Sequence, residues 1–141
     1  MNELGACVFC DPSDEMQERV IRESDTWRSI ISNPTFRENH ALVMPRRHAA
    51  EVGELMPDEV VAIWREAGRI ASLIDVGFGY QVLQKFEPRK PDGSIKQSHL
   101  HFHVFPRLKD DGIFAIPECN AESGFYRLDR STAQKEASRL R

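Results

Sequence analysis

A chain of 141 residues with 40% hydrophobic and 29% charged residues can bury a working core without staples, and its charge fraction is that of an ordinary globular domain rather than a disordered one. With 19 Lys+Arg against 22 Asp+Glu the formal net charge is -3, which argues against an indiscriminate nucleic-acid binder. No apolar run reaches the roughly 18 to 20 residues of a bilayer span, and Met1-Asn2-Glu3-Leu4-Gly5 has neither a basic leader nor an apolar signal core, so a cytoplasmic protein with no membrane partner is expected.

No repeat, low-complexity tract or linker divides the chain, so one domain over 1–141 is expected. Residues 1–16 are turn-rich, with Asp11-Pro12-Ser13-Asp14 following Cys7 and Cys10. The C-x-x-C spacing of that pair points in a reducing compartment to metal or redox chemistry more often than to a disulfide, and Cys119 reads as a buried small residue. Arg19–Glu23 and Thr26–Ile31 read as strands joined at Ser24-Asp25, and His40–Pro45 as a third strand that Pro45 closes. Pro57, Asp58 and Glu59 open a long helix, in which Val60, Ile63, Trp64, Ala67, Ile70, Ala71 and Ile74 recur at helical spacing until Gly77 and Gly79. Tyr80–Gln84 and His99–Phe105 read as two further strands joined through Pro91-Asp92-Gly93-Ser94. The tail from Arg127 is a short helix or a frayed end, with Ser131-Thr132-Ala133-Gln134 as a capping box. The fold expected is α+β: an antiparallel sheet of about five strands with one long helix and short helices.

The sharpest chemical signal is His99-Leu100-His101-Phe102-His103, which holds three of the five histidines. On an extended strand the imidazoles fall on one face at intervals of roughly 6.5 to 7 Å, with Leu100, Phe102 and Val104 on the other. Three readings are open on these residues alone: a solvated strand face, a metal site, or catalysis by an imidazole nucleophile. Arg107, just beyond, is a poor neighbour for a cation and a good one for a phosphate, although a structural role accounts for it equally well.

His99-Leu100-His101-Phe102-His103-Val104-Phe105-Pro106-Arg107 resembles the signature of the histidine triad (HIT) superfamily, alternating His and apolar residues followed by Pro-Arg. His40-Ala41-Leu42-Val43-Met44-Pro45-Arg46-Arg47-His48 is similar to the family's upstream strand and its Pro-Lys-x-His segment, and Cys7-Val8-Phe9-Cys10 to the cysteine pair of its zinc-containing members. The likeness covers residues 7 to 107. It implies a nucleotide hydrolase or transferase in which His101 attacks an α-phosphate, His103 contacts phosphate oxygens and helps protonate the leaving group, and His40 belongs to the surrounding network. The substrates implied are a nucleoside phosphoramidate, an adenylated amine or a dinucleoside polyphosphate. A structural Zn2+ held by Cys7, Cys10, His48 and His99 is likewise implied, as is a homodimer. On this basis residues 1–16 form a zinc knuckle, 17–107 a catalytic core and 108–141 a C-terminal extension.

The chain departs from the family pattern at three places. Before the first His it has Gly93-Ser94-Ile95-Lys96-Gln97-Ser98, in which Gln97 and Ser98 match the family's Gln-Ser only if two residues are deleted, a change that keeps strand parity. Gln97, Ser98 and Arg107 are thus the candidate phosphate-binding residues. Where the family often has a ribose-binding Asp, Ile30-Ile31-Ser32-Asn33-Pro34 holds no carboxylate, and the usual Asn after the fourth strand falls on Gln84 or Lys85. Two other functions compete with the enzyme reading: a non-catalytic zinc-stabilised dimer that binds nucleotides or a protein, and a metal-dependent hydrolase using the triad as ligands.

Overall fold

Residues 7–35, 37–96, 98–112 and 129–140 are described in the computed structural model; Cys119, expected to be buried, lies outside them. The strands are β1 (Val20–Glu23), β2 (Trp27–Ile31), β3 (Ala41–Pro45), β4 (Tyr80–Gln84) and β5 (Phe102–Pro106), and the helices are α1 (Asp14–Glu18), α2 (Pro57–Ile74) and α3 (Arg130–Leu140), with one 3-10 turn at Val52–Glu54. All strand pairings are antiparallel, in the order β1-β2-β3-β5-β4. Two compact units divide the chain, Met1–Lys109 and Asp110–Arg141.

Helix α2 spans the region its periodicity marks. Pro57 loses no bond at the first position, and the Glu59 carboxylate accepts from Met56 N–H at 2.8 Å. At the far end Asp75 Oδ1 accepts from Gly77 and Gly79 N–H at 2.8 and 3.0 Å, and both glycines carry the positive φ that this tight exit requires. Ile63, Ala67, Ile70 and Ala71 pack on Val43 of β3 and on Leu100, Phe102 and Val104, closing the main core on one sheet face. The opposite face carries a smaller cluster of Ile30, Leu42, Met44 and Met16, with Phe9 and Val20 against it. Met16 arrives there on α1, a single turn too short to show periodicity, capped by Ser13 Oγ accepting from Met16 N–H.

One strand is shorter than its pattern suggests. The expected strand starts at His99, but the ladder with β3 begins at Phe102, opposite Val43. Continuing backward would set Leu100 against Pro45, which has no N–H to contribute; Leu100 N–H instead donates to Ala49 C=O at 2.6 Å. His99 and His101 therefore precede β5, and only His103 lies in it. The capping box expected at Ser131 also moves. Ser131 is inside α3, and the Asp129 carboxylate takes the Thr132 N–H and hydroxyl, each at 2.9 Å. Among the described residues no helix is long and apolar enough to cross a membrane.

The core also holds a buried charge. Glu66 on α2 accepts from Ser29 Oγ of β2 at 2.8 Å and from Arg69 at 2.6 and 2.8 Å. Burial alone would raise its pKa, yet these donors hold it below the usual carboxylate value. Glu66→Ala strands Ser29 and Arg69 without their acceptor and is expected to cost about 1 to 3 kcal/mol in urea denaturation, whereas Val61→Ala on the exposed face should stay within about 0.5 kcal/mol.

Candidate functional site

Four of the anticipated residues converge from three separated stretches. Cys7 and Cys10 sit in a turn in which Cys7 C=O accepts from Cys10 and Asp11 N–H at 3.1 and 3.0 Å. His48 lies in the loop after β3, where Arg47 donates to Glu59 at 2.7 Å and ties the loop to α2. His99 comes from the segment before β5. The donor atoms of Cys7, Cys10, His48 and His99 all lie within 4.8 Å of one another and could hold a metal ion; among the described residues no other such cluster of His, Cys, Asp and Glu occurs. His99 Nδ1 is 3.4 Å from Cys7 Sγ and 3.5 Å from Cys10 Sγ, and His48 Nδ1 is 3.3 Å from Cys10 Sγ.

The tautomer of His99 follows from its other nitrogen. Nε2 stands 2.8 Å from the Pro45 carbonyl, which can only accept, so Nε2 carries the proton and Nδ1 presents a lone pair to the two sulfurs. That is the state a metal ligand needs, with a backbone carbonyl orienting the ring from behind. Burial, followed by the Cys7 sulfur, pushes the Cys10 thiol up to about 11. Cys10 thus favours its protonated form unless a cation displaces the proton.

The same reasoning fixes His101. Its Nδ1 lies 2.8 Å from the His99 carbonyl and must donate, leaving Nε2 unprotonated as the basic, nucleophilic nitrogen. The His101 and His103 ring centroids are 5.0 Å apart, and His103 Nδ1 is 2.9 Å from His40 Nε2, one of the two donating to the other. His40 is buried, edge-on to Phe105. Burial lowers the pKa of His40, His99 and His101 and takes His103 down to about 4, with Lys96 and Lys85 adding to the fall at His101 and Lys85 at His103. Burial thus favours the neutral form of each ring.

A cavity of about 460 Å³ opens over these rings, bounded by His101, His103, Ser98, Phe9, Lys85 and Lys96 among others. Of the candidate phosphate-binding residues Ser98 lines this cavity, while Gln97 lies outside the described residues. Arg107 reaches Gln81 Oε1 at 3.4 Å on the edge strand and is not in the cavity wall. Ser32 and Asn33, at the family's ribose-binding position, donate to Pro34 C=O at 2.8 Å and to Glu15 at 3.4 Å.

Among the wall residues that sequence reasoning passed over are Phe9, Lys85 and Lys96. Phe9, between the two cysteines, sets its ring 5.6 Å from that of His99 and 5.4 Å from that of His101. Its only signal was an aromatic inside the C-x-x-C pair. Lys85 occupies one of the two positions noted as departing from the family Asn, and Lys96 sits beside the shortened Gln-Ser segment.

Comparison with known proteins bears on the family and the fold. The HIT domain family model matches residues 13–110. The chain is 31% identical over 131 residues to a bis(5'-adenosyl)-triphosphatase of Dictyostelium discoideum, covering 89% of this chain and 85% of that one. It is 25% identical over 130 residues to the adenosine 5'-monophosphoramidase HNT1 of Saccharomyces cerevisiae, covering 89% and 77%. The fold matches that of a HIT family member from Bacillus subtilis with a TM-score of 0.68 at 18% identity, over 96% of this chain and 95% of that one.

The depressed imidazoles carry a consequence for stability. Each takes its proton at lower pH in the folded chain than in the unfolded one, so below about pH 6.5 the unfolded chain binds more protons and stability falls with pH, for His103 down to about 4. His103→Gln should lose less thermal stability than the parent chain when the pH is lowered through that window, as read by the midpoint of unfolding followed by circular dichroism.

Proposed function

The chain belongs to the HIT family, and from that membership we propose that it is a nucleotide hydrolase working through a covalent nucleotidyl-histidine. The observation that carries this reading is the bond from His101 Nδ1 to the His99 carbonyl, which leaves Nε2 neutral and nucleophilic over the cavity. In the first step the Nε2–phosphorus bond forms and the bond to the leaving group breaks, its electron pair departing with that group. In the second, water attacks phosphorus and gives a proton back to the His103–His40 pair, the N–P bond breaks with its electron pair returning to His101 Nε2, and a nucleoside monophosphate is released. His103 contacts the phosphoryl oxygens and passes a proton toward the leaving group, with His40 completing the proton-bearing pair, and Ser98 supports the phosphate. Gln97 is assigned beside it on its position in the sequence. The relatives act on a bis(5'-adenosyl)-triphosphate and on an adenosine 5'-monophosphoramide, and both classes are substrates under this reading.

Zinc is the metal assigned to Cys7, Cys10, His48 and His99. Zn–S near 2.3 Å and Zn–N near 2.0 Å at the tetrahedral angle would give an N···S edge of about 3.5 Å, and three of the four N···S separations here are 3.3 to 3.5 Å. Two thiolates and two imidazoles close the coordination shell, so the ion's part is structural: it would pin the knuckle, and Phe9 with it, against the histidine segment. A reducing, cytoplasmic setting keeps both sulfurs available for that role. The reading extends to a homodimer, supported by the edge position of β4 and by the exposed Val60, Trp64 and Leu73 on the adjoining helix.

His101→Ala is expected to reduce turnover of adenosine 5'-phosphoramidate by a factor of about 1,000 or more, and a quenched reaction of the parent chain should show an AMP adduct on His101 by peptide mass spectrometry. AMP binding with no turnover and no adduct would instead leave a binding protein. Elemental analysis of the purified protein should find one zinc per chain, lost in Cys7→Ser. Light scattering should give twice the chain mass, reduced to one in Trp64→Glu.

A further inference from the structure

Between β4 and the histidine segment the chain runs out and back as a polar ribbon. Lys90 N–H donates to Ser94 C=O at 2.9 Å and Lys96 N–H to Pro88 C=O at 2.8 Å, and Arg89 pairs with Ile95 across the ribbon. This pairing brings Lys85 and Glu87, on the outgoing arm, to the same wall as Lys96 and Ser98 on the returning arm, facing the cavity that His101 and His103 line. In a chain of net charge -3 the ribbon carries Lys85, Arg89, Lys90 and Lys96 against Glu87 and Asp92. Asp92 is engaged at the tip by Ser94, at 2.6 and 2.9 Å. Lys85 Nζ lies 3.5 Å from Glu87, both exposed, and a pair of that kind is weakly held.

The mechanism leaves the ammonium groups of the two wall lysines without a task. Resting on the reading of His101 as nucleophile, the geometry points to Lys85 and Lys96 as specificity-determining residues that favour substrates whose leaving group is a phosphate anion over those whose leaving group is an amine. When His101 attacks the α-phosphorus of a dinucleoside polyphosphate, the bond to the bridging oxygen breaks and the electron pair stays on that oxygen. Negative charge develops on a group that already carries further phosphates. Ammonium groups in the wall stabilise that charge most in the transition state and need no proton transfer to do so. When the substrate is a phosphoramidate, the P–N bond breaks and the nitrogen must gain a proton to depart. A fixed cation gives that step no help and opposes a nitrogen that becomes positive. Glu87 acts against the selection by neutralising Lys85.

The test compares kcat/KM for diadenosine triphosphate and adenosine 5'-phosphoramidate, taken as a ratio, in the parent chain, Lys85→Gln, Lys96→Gln and Glu87→Gln. The ratio is expected to fall roughly tenfold to a hundredfold in each lysine variant, as loss of a charge-assisted contact implies, and to rise severalfold in Glu87→Gln. Because each variant is read on two substrates, a general loss of folding or nucleophilicity cancels. If turnover depends on His101 while the ratio stays within about twofold in both lysine variants, or moves with the opposite sign, the assignment of the lysines is overturned and the nucleophile stands. If the parent chain turns over neither substrate and forms no adduct, the nucleophile reading falls and takes this assignment with it.

Discussion

His99 is the residue on which the site turns, because three of its groups are committed in three directions. Its Nε2–H is fixed by the Pro45 carbonyl, its Nδ1 faces the two cysteine sulfurs, and its backbone carbonyl receives the Nδ1–H of His101. The first bond decides which nitrogen is free for the sulfurs, and the third decides which nitrogen of His101 is free for chemistry. A buried imidazole has only one ring proton in its neutral form, so each assignment excludes the alternative. The cysteine cluster and the orientation of His101 are thus set by one residue, and a displacement at the cysteine pair would reach His101 through His99 and through the Phe9 ring that touches both.

The fold supplies the rigidity this arrangement needs. Leu100, Phe102 and Val104 are buried in the core beneath α2, and they alternate with His99, His101 and His103. The apolar residues anchor the segment from one side while the imidazoles are held at the other, so the packing that stabilises the domain also orients the chemistry. Pro45 serves twice in this. Lacking an N–H, it cannot extend the ladder to Leu100, and its carbonyl, not needed there, holds His99. The shortened strand and the oriented imidazole are two effects of one proline.

What could be read in the sequence divides along physical lines. Helical periodicity located α2, and apolar runs bounded by turn residues or proline located β1 to β4, each to within a residue or two. The donor set Cys7, Cys10, His48 and His99 came from likeness to a family, for no local spacing joins a cysteine pair to histidines about 40 and 90 residues away. The true start of β5 was hidden because alternation survives in extended backbone whether or not a ladder forms. A one-turn helix such as α1 has no period to detect. Lys85 and Lys96 were invisible as wall residues because the ribbon that turns them inward is held by backbone bonds between Lys90 and Ser94 and between Lys96 and Pro88, which no side-chain pattern announces.

The electrostatics of the cavity change with what it holds. In the free chain, burial and the neighbouring cations keep His101 and His103 uncharged, which suits a nucleophile and leaves His103 a poor proton donor. A phosphate brought against the same rings introduces negative charge at short range, and a nearby anion raises an imidazole pKa as surely as a nearby lysine lowers it. On the mechanism proposed above, a bound phosphate would offset part of the depression that burial and the cations impose on His103, whose value is about 4 in the free chain. On the same proposal His101 would escape protonation, since an Nε2 bonded to phosphorus has no lone pair left to take a proton. Two imidazoles whose ring centroids are 5.0 Å apart can thus take opposite roles, with the order of events set by the charge of the substrate.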